Sequence, residues 1–329
     1  MRSFAAVMLF LASFAPPSGA SDPRAALDRD EVTILVTDSG LGGLSVAADI
    51  ERQIRHTPMF RRADVVFCSA LPPGGRGYND MSGTDEKAAV FSSALDGMMR
   101  RYAPDVILIA CNTLSVIYDR TEFSKRSTVP VVGIVEIAAD ELAARWKRSP
   151  SAAVLLFGTE TTVASGAHRA ALVARGVPES LIIAQACPKL ESEIQTDPAG
   201  DMTRTYIEWY TDEAGAALPT PARSVIAGLC CTHYGYSAGI FARELSRLRP
   251  VPPEVIDPNP GMSQRVLPRR TQRFPGIVPS VLVVSPVKLS AEETEAVGRM
   301  LRPVSPATAD ALTAYRFEPH LFPVPEVRR

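Results

Sequence analysis

Short apolar, β-branched runs recur along this chain, each followed by small polar residues and then a helical stretch. Strands buried on both faces of a parallel sheet read this way, because helices cover both sides and no face is left polar. Residues 31–37 (EVTILVT) are the first such run, and 63–68, 105–110 and 129–135 follow, with helices expected over 46–55 and 85–102. The pattern then restarts, with strands at 152–157, 181–184 and 224–227 and helices over 163–175, 201–215 and 236–248. This alternation predicts an α/β fold of two similar parallel-sheet units with right-handed crossovers and a cleft between them. Short strands at 254–256 and 281–284 and a helix over 291–301, capped by Ser290, come after it. Residues 303–329 are proline-rich and without period, a tail expected to wrap the surface or stay disordered.

Composition excludes some classes of function. A chain of 329 residues, 46% hydrophobic, can bury a large core. A net charge of -1 with no block of like charge argues against a nucleic-acid partner. At the N-terminus Arg2 precedes the apolar run 4–15, which is too short to span a bilayer, and Ser18-Gly19-Ala20 follows. These are the parts of a secretory signal peptide over residues 1–20, cut after Ala20, addressing the protein to the periplasm or outside; unused, it would leave the chain cytoplasmic. No second apolar stretch has spanning length, so no membrane insertion is expected after cleavage. The five cysteines are an odd number without a Cys-x-x-Cys pair, and the four histidines are scattered, so neither a disulfide scaffold nor a metal site is expected.

The chemistry concentrates in two motifs, Ala110-Cys111-Asn112-Thr113 and Cys230-Cys231-Thr232-His233-Tyr234. Each sets a cysteine just beyond an apolar strand, at the sheet edge where open α/β folds bind ligands. A lone cysteine there is usually an inert small hydrophobe, the expectation for Cys68 and Cys187. Cys111 and Cys231 differ because hydroxyl, amide or imidazole groups follow them directly. A thiol so placed can serve as nucleophile or as general acid and base. One Cys/His pair would suggest acyl transfer, as in a thiol amidohydrolase. Two matched thiols suggest taking a proton from one face of a carbon and returning one to the other, which is racemisation and needs no cofactor or metal.

The turn Asp38-Ser39-Gly40-Leu41-Gly42-Gly43-Leu44-Ser45 imitates a dinucleotide fingerprint at Gly40, Gly42 and Ser45. The next strand, however, ends in Phe67-Cys68-Ser69, where a ribose-binding acid belongs, and no Gly-Lys-Ser/Thr follows for a phosphate loop. What remains is an anion-friendly helix start with a carboxylate, Asp38, at the strand end.

Taken in order, the Asp38–Ser45 turn, Cys111-Asn112-Thr113-x-Ser115, Val129-Pro130-Val131-Val132-Gly133, Gly158-Thr159-Glu160-x-Thr162, Cys187-Pro188 and Cys231-Thr232-His233-Tyr234 resemble the glutamate racemases of the cofactor-independent aspartate/glutamate racemase superfamily. The resemblance implies two α/β domains related by a pseudo-twofold axis, residues 31–132 with about 240–302 forming one and 133–239 the other, often in a homodimer. It implies an amino-acid substrate, with Cys111 acting on the D-enantiomer, Cys231 on the L-enantiomer, and Asp38 and His233 adjusting their protonation. Ser39, Asn112, Thr113 and Thr232 resemble the family's ligands for substrate carboxylates and ammonium. In the family such an enzyme supplies D-glutamate for peptidoglycan.

Several positions depart from the family pattern. The Pro-Tyr-Gly substrate loop is replaced by Pro72-Pro73-Gly74-Gly75-Arg76-Gly77-Tyr78-Asn79, Gly235 stands for a proline, and Cys230 is an added thiol. A family glutamate falls at Gln195, with Glu193 close by. The changed loop keeps open a relative acting on aspartate, a hydantoin or another α-substituted acid. Two α/β lobes and a signal peptide also fit a periplasmic amino-acid-binding protein, for which matched thiols would have no use.

Overall fold

The computed structural model describes residues 22–219, 224–248, 251–269, 273–274 and 276–325, so the expected signal peptide lies outside the described residues. Among the described residues ten strands form two wholly parallel sheets. They are β1 (Glu31–Asp38), β2 (Arg62–Ser69), β3 (Val106–Ile109), β4 (Val131–Gly133), β5 (Ala153–Gly158), β6 (Ile182–Ala186), β7 (Val225–Cys230), β8 (Glu254–Ile256), β9 (Ser280–Ser285) and β10 (Arg316–Phe317). One sheet has the order β10-β9-β2-β1-β3-β4 and the other β6-β5-β7-β8. Within these, β2-β1-β3-β4 and β6-β5-β7-β8 repeat one order, so the duplication expected from the restarting pattern is present in the topology.

The apolar runs are strands because alternate residues feed a core on each side. From the first sheet Ile34, Val36, Val65 and Phe67 face one core, and Leu35, Val66, Ile107 and Ile109 the other. The second sheet does the same with Leu155, Phe157 and Leu229 against Val154, Leu156 and Ile226. This alternation separates the adjacent thiols: Cys230 packs with the Val154 side and Cys231 with the Phe157 side. Cys68 and Cys187 are also fully buried among apolar neighbours.

Two boundaries differ from expectation. The helix expected over 163–175 is two helices, Glu160–Ala164 and Ala167–Ala174, broken where Gly166 takes φ 67°. Thr159 starts the first by accepting from the backbone N–H of Thr162. The second unit does not end near 239, because β8 pairs with β7 and carries that unit through Ile256. The chain returns to the first sheet afterwards, with the helix Asn259–Val266 packed on the helix Leu44–His56.

The tail is also ordered as far as it is described. Ser305 caps a helix, Pro306–Thr313, β10 pairs with β9, and Phe322 is buried under the first sheet's helices. The helix Ala291–Leu301 has its expected cap, a reciprocal pairing of Ser290 with Glu293. Among the described residues no helix is long and apolar enough to cross a membrane.

Candidate active site

Equivalent strand ends of the two units meet at one cavity. β1 ends in Asp38 and leads to Ser39, and β3 leads to Cys111 at the start of the helix Asn112–Ile117. In the second unit β5 leads to Thr159, and β7 to Cys231, Thr232 and His233. All eight residues singled out from sequence, Asp38, Ser39, Cys111, Asn112, Thr113, Cys231, Thr232 and His233, line this cavity of about 460 Å³. Cys230 does not, since it points to the opposite face of β7.

The contacts across the cavity are polar and short. Asp38 accepts from the Gly40 N–H at 2.9 Å and from the Thr232 hydroxyl at 2.8 Å, tying the two units with one buried carboxylate. Ser39 Oγ lies 3.2 Å from Cys111 Sγ, and His233 Nδ1 lies 3.8 Å from Cys231 Sγ. Thr113 joins a hydroxyl cluster with Thr159 at 2.8 Å and Thr162 at 3.3 Å. His168 Nε2 sits 3.0 Å from Asn112 Oδ1, leaving the buried Asn112 Nδ2 with no partner among the described residues. A buried amide donor without a partner has a hydrogen bond to offer.

The glycine-rich turn is explained by what it must let in. A Cβ on Gly42 would stand 2.4 Å from Thr232 Oγ1 and 2.7 Å from both the backbone N and Nδ1 of His233. On Gly40 it would stand 2.9 Å from Gln195 Oε1. Space that a dinucleotide phosphate would need over this turn is taken by side chains of the other unit. Gly235, which replaces the family's proline, has a similar cause, as a Cβ there would fall 2.3 Å from Asp257 Oδ2.

Burial sets the resting charge state. It pushes the Cys111 thiol up to about 12; the Asp38 charge adds to this, and the Ser39 hydroxyl and nearby backbone N–H groups oppose it. Cys231 is pushed well above the ordinary thiol range, first by burial and then by the charges of Glu191, Cys111 and Asp38, against its backbone hydrogen bond at His233. Burial lowers His233, so its ring is neutral near pH 7. Each thiol therefore rests protonated. An ionised Cys111 raises Cys231 further, so a thiolate on one sulfur disfavours a thiolate on the other.

Sequence reasoning named Gln195 but missed the wall it belongs to. The helix Leu190–Thr196 brings Glu191, Ser192 and Gln195 to the cavity, and Lys189, at φ 66°, precedes it. Of the two candidates for the family glutamate, Gln195 lines the cavity and Glu193 does not. The i, i+4 spacing of Glu191 and Gln195 was the available signal. The changed loop contributes Gly75, Gly77, Tyr78 and Asn79, and Asp80 follows it. Among the described residues no group of three His, Cys, Asp or Glu side chains could hold a metal ion.

A family model described as Asp/Glu/Hydantoin racemase matches residues 34–261, well over half the chain and all of the strand ends above. The chain belongs to the Asp/Glu/Hydantoin racemase family. It is 30% identical over 205 residues to a glutamate racemase of Aquifex pyrophilus, covering 60% of this chain and 70% of that protein. A glutamate racemase of Methylococcus capsulatus is 31% identical over 217 residues, covering 65% and 71%. In fold it is similar to the glutamate racemase RacE1 of Bacillus anthracis, with a TM-score of 0.62 at 18% identity over 82% of this chain and 94% of that one. The Thermus thermophilus enzyme gives 0.57 at 22% identity over 91% and 98%. With these relatives the chain is an amino-acid racemase, an isomerase.

The packing at Gly42 makes a direct prediction for this racemase. Gly42→Ala must displace Thr232 and His233, so kcat/KM should fall by about 100-fold or more, since misplacement of about 1 Å has that effect. Steady-state kinetics beside circular dichroism checks this; a folded variant with wild-type turnover contradicts it.

Proposed function

We propose that the cavity interconverts the enantiomers of an amino acid, with glutamate the substrate suggested by its curated relatives, by passing the α-proton between Cys111 and Cys231. The observation that carries this reading is the equivalence of the two thiols. Each follows the third strand of its unit, both line one cavity, and each has its own polar partner, Ser39 or His233.

In the step, one thiolate takes the α-hydrogen, and the C–H electron pair stays on the substrate, spread into its carboxylate. The opposite thiol then delivers its proton to the other face of that carbon and is left as the thiolate. Cys231 acts on the L-enantiomer and Cys111 on the D-enantiomer. Ser39, Thr113, Thr232 and the unpaired Asn112 Nδ2 hold the substrate carboxylate and ammonium, stabilising charge as it develops. Asp38 and His233 adjust the protonation of the thiols. No cofactor enters the scheme. The binding-protein reading finds no support in the relatives.

A second substrate reading has a specific motive. Away from the thiols the wall carries Asp80, Glu160 and Glu191 against the single cation Lys189. That balance suits a neutral or cationic side chain better than a second substrate carboxylate. A panel of L-glutamate, L-aspartate, L-lysine and 5-substituted hydantoins, followed by optical rotation, separates the two.

Cys111→Ser and Cys231→Ser should each lower racemisation by roughly 10²–10⁴-fold, the usual contribution of a positioned acid or base. Each variant should still exchange solvent deuterium into the enantiomer served by its remaining thiol. Full interconversion by either variant would contradict the two-thiol assignment.

Export is part of the same proposal. All five cysteines are unbridged and buried, and buried protonated thiols react slowly with oxidants. Intact-mass analysis of extracytoplasmic protein should find Ser21 at the N-terminus; a full-length chain retained in the cytoplasm would contradict export.

A further inference from the structure

His233 is held from behind by a chain of two side chains, each of which fixes the next. Gln195 Oε1 lies 2.9 Å from the Leu41 backbone N–H and 2.9 Å from His233 Nε2. Its Nε2 lies 2.6 Å from Glu293 Oε1, and the other oxygen of Glu293 accepts from the backbone and hydroxyl of Ser290 at 3.0 and 2.9 Å. A backbone N–H can only donate and a carboxylate can only accept, so both ends orient the Gln195 amide the same way. Its Oε1 then has only lone pairs to offer the ring. The hydrogen bond to His233 therefore requires a proton on Nε2, and in the neutral ring Nδ1 is bare. That bare nitrogen is the one 3.8 Å from Cys231 Sγ.

We propose that Gln195 and Glu293 are positioning residues that lock His233 as the Nε2–H tautomer, so that Nδ1 can take the proton of Cys231. The inference rests on the two-thiol reading. In the step the Sγ–H bond breaks, its electron pair stays on sulfur, and the proton forms a bond to Nδ1, giving thiolate and imidazolium. The thiolate is then free to take the α-hydrogen, and the imidazolium returns its proton to sulfur on the reverse passage. The groups that face the ring are Asp38 at the end of β1, Glu293 on the helix Ala291–Leu301 and Cys231 on its own turn. Both carboxylates favour the imidazolium, while burial favours the neutral ring at rest. The lock spans three parts of the fold, since Gln195 belongs to the second unit, Leu41 to the first and Glu293 to the C-terminal segment.

Two measurements on the full chain test this. With only four histidines, the His233 ring can be assigned in 15N spectra by its loss in His233→Gln. The substrate-free protein at pH 7.5 should show a neutral ring with Nε2 protonated and Nδ1 bare. A ring protonated on Nδ1, or an imidazolium, overturns the proposal whether or not the protein racemises anything. The second is the double variant Gln195→Glu with Glu293→Gln, which keeps one carboxylate in the pair but seats it on the ring. A negative charge there stabilises the imidazolium, which cannot accept the Cys231 proton. The acid limb of kcat/KM against pH should then move up by roughly one unit or more. A purely structural role would lower the rate and leave the limb in place, and an unmoved limb overturns the proposal. If the tautomer is as stated but no amino acid in the panel exchanges its α-hydrogen, the racemase reading fails and the tautomer assignment stands.

Discussion

Asp38 is 1% exposed, and both of its oxygens are engaged, one by the Gly40 N–H of its own turn and one by the Thr232 hydroxyl from the other unit. A buried carboxylate is tolerable only when hydrogen bonds replace its water, so losing either donor would leave a costly charge in the interior. The bond to Thr232 is therefore a constraint on how the two sheets face each other. It sets the Cys231-Thr232-His233 turn against the Asp38–Ser45 turn, and the glycines at 40 and 42 supply the clearance. Replace that clearance with a methyl group and the cavity between the thiols cannot keep its shape.

The electrostatics of the site follow from the same closure. Neither thiol is reactive by itself, because burial holds both protonated. This suits the proposed proton shuttle better than two permanent thiolates would, since in that proposal one sulfur arrives as a base and the other as an acid. The mutual repulsion of the two charges favours that asymmetry, and in the proposed mechanism the ionised sulfur would change with each turnover. Ser39 beside Cys111 and His233 beside Cys231 give each sulfur a local route for its proton. The two sides are not alike: a hydroxyl on one and an imidazole on the other make the two directions chemically distinct.

Much of this was readable from the chain because parallel strands buried on both faces appear as unbroken apolar runs. β1, β2, β3 and β5 were found that way, and the residues just beyond β1, β3 and β7 form the cavity. What was not readable depends on partners far away in sequence. The helix Leu190–Thr196 offers a single i, i+4 pair and no longer period, and Gln195 is oriented by Leu41 and Glu293, which reach it from 154 and 98 residues away. β8 carries only three residues, and its sheet is decided by pairing with β7, which no local pattern encodes. In the tail, prolines hid order that comes from docking: Pro306 opens a helix at a position where its missing N–H is harmless, and Phe322 fills the core beneath Gly97. The single helix expected over 163–175 ignored Gly166, whose positive φ breaks it.

The account stands on proton transfer between two sulfurs on opposite faces of one carbon, and one time course addresses that directly. Enantiopure protiated L-glutamate, or the best substrate of the panel, is mixed with the racemase in D₂O, and optical rotation is followed to equilibrium. With two bases the product forms carrying solvent deuterium, and its slower return lets the D-enantiomer accumulate transiently beyond its equilibrium share. The rotation should therefore cross zero, reverse sign and relax back. A smooth decay to zero without reversal would contradict two-thiol catalysis in this cavity.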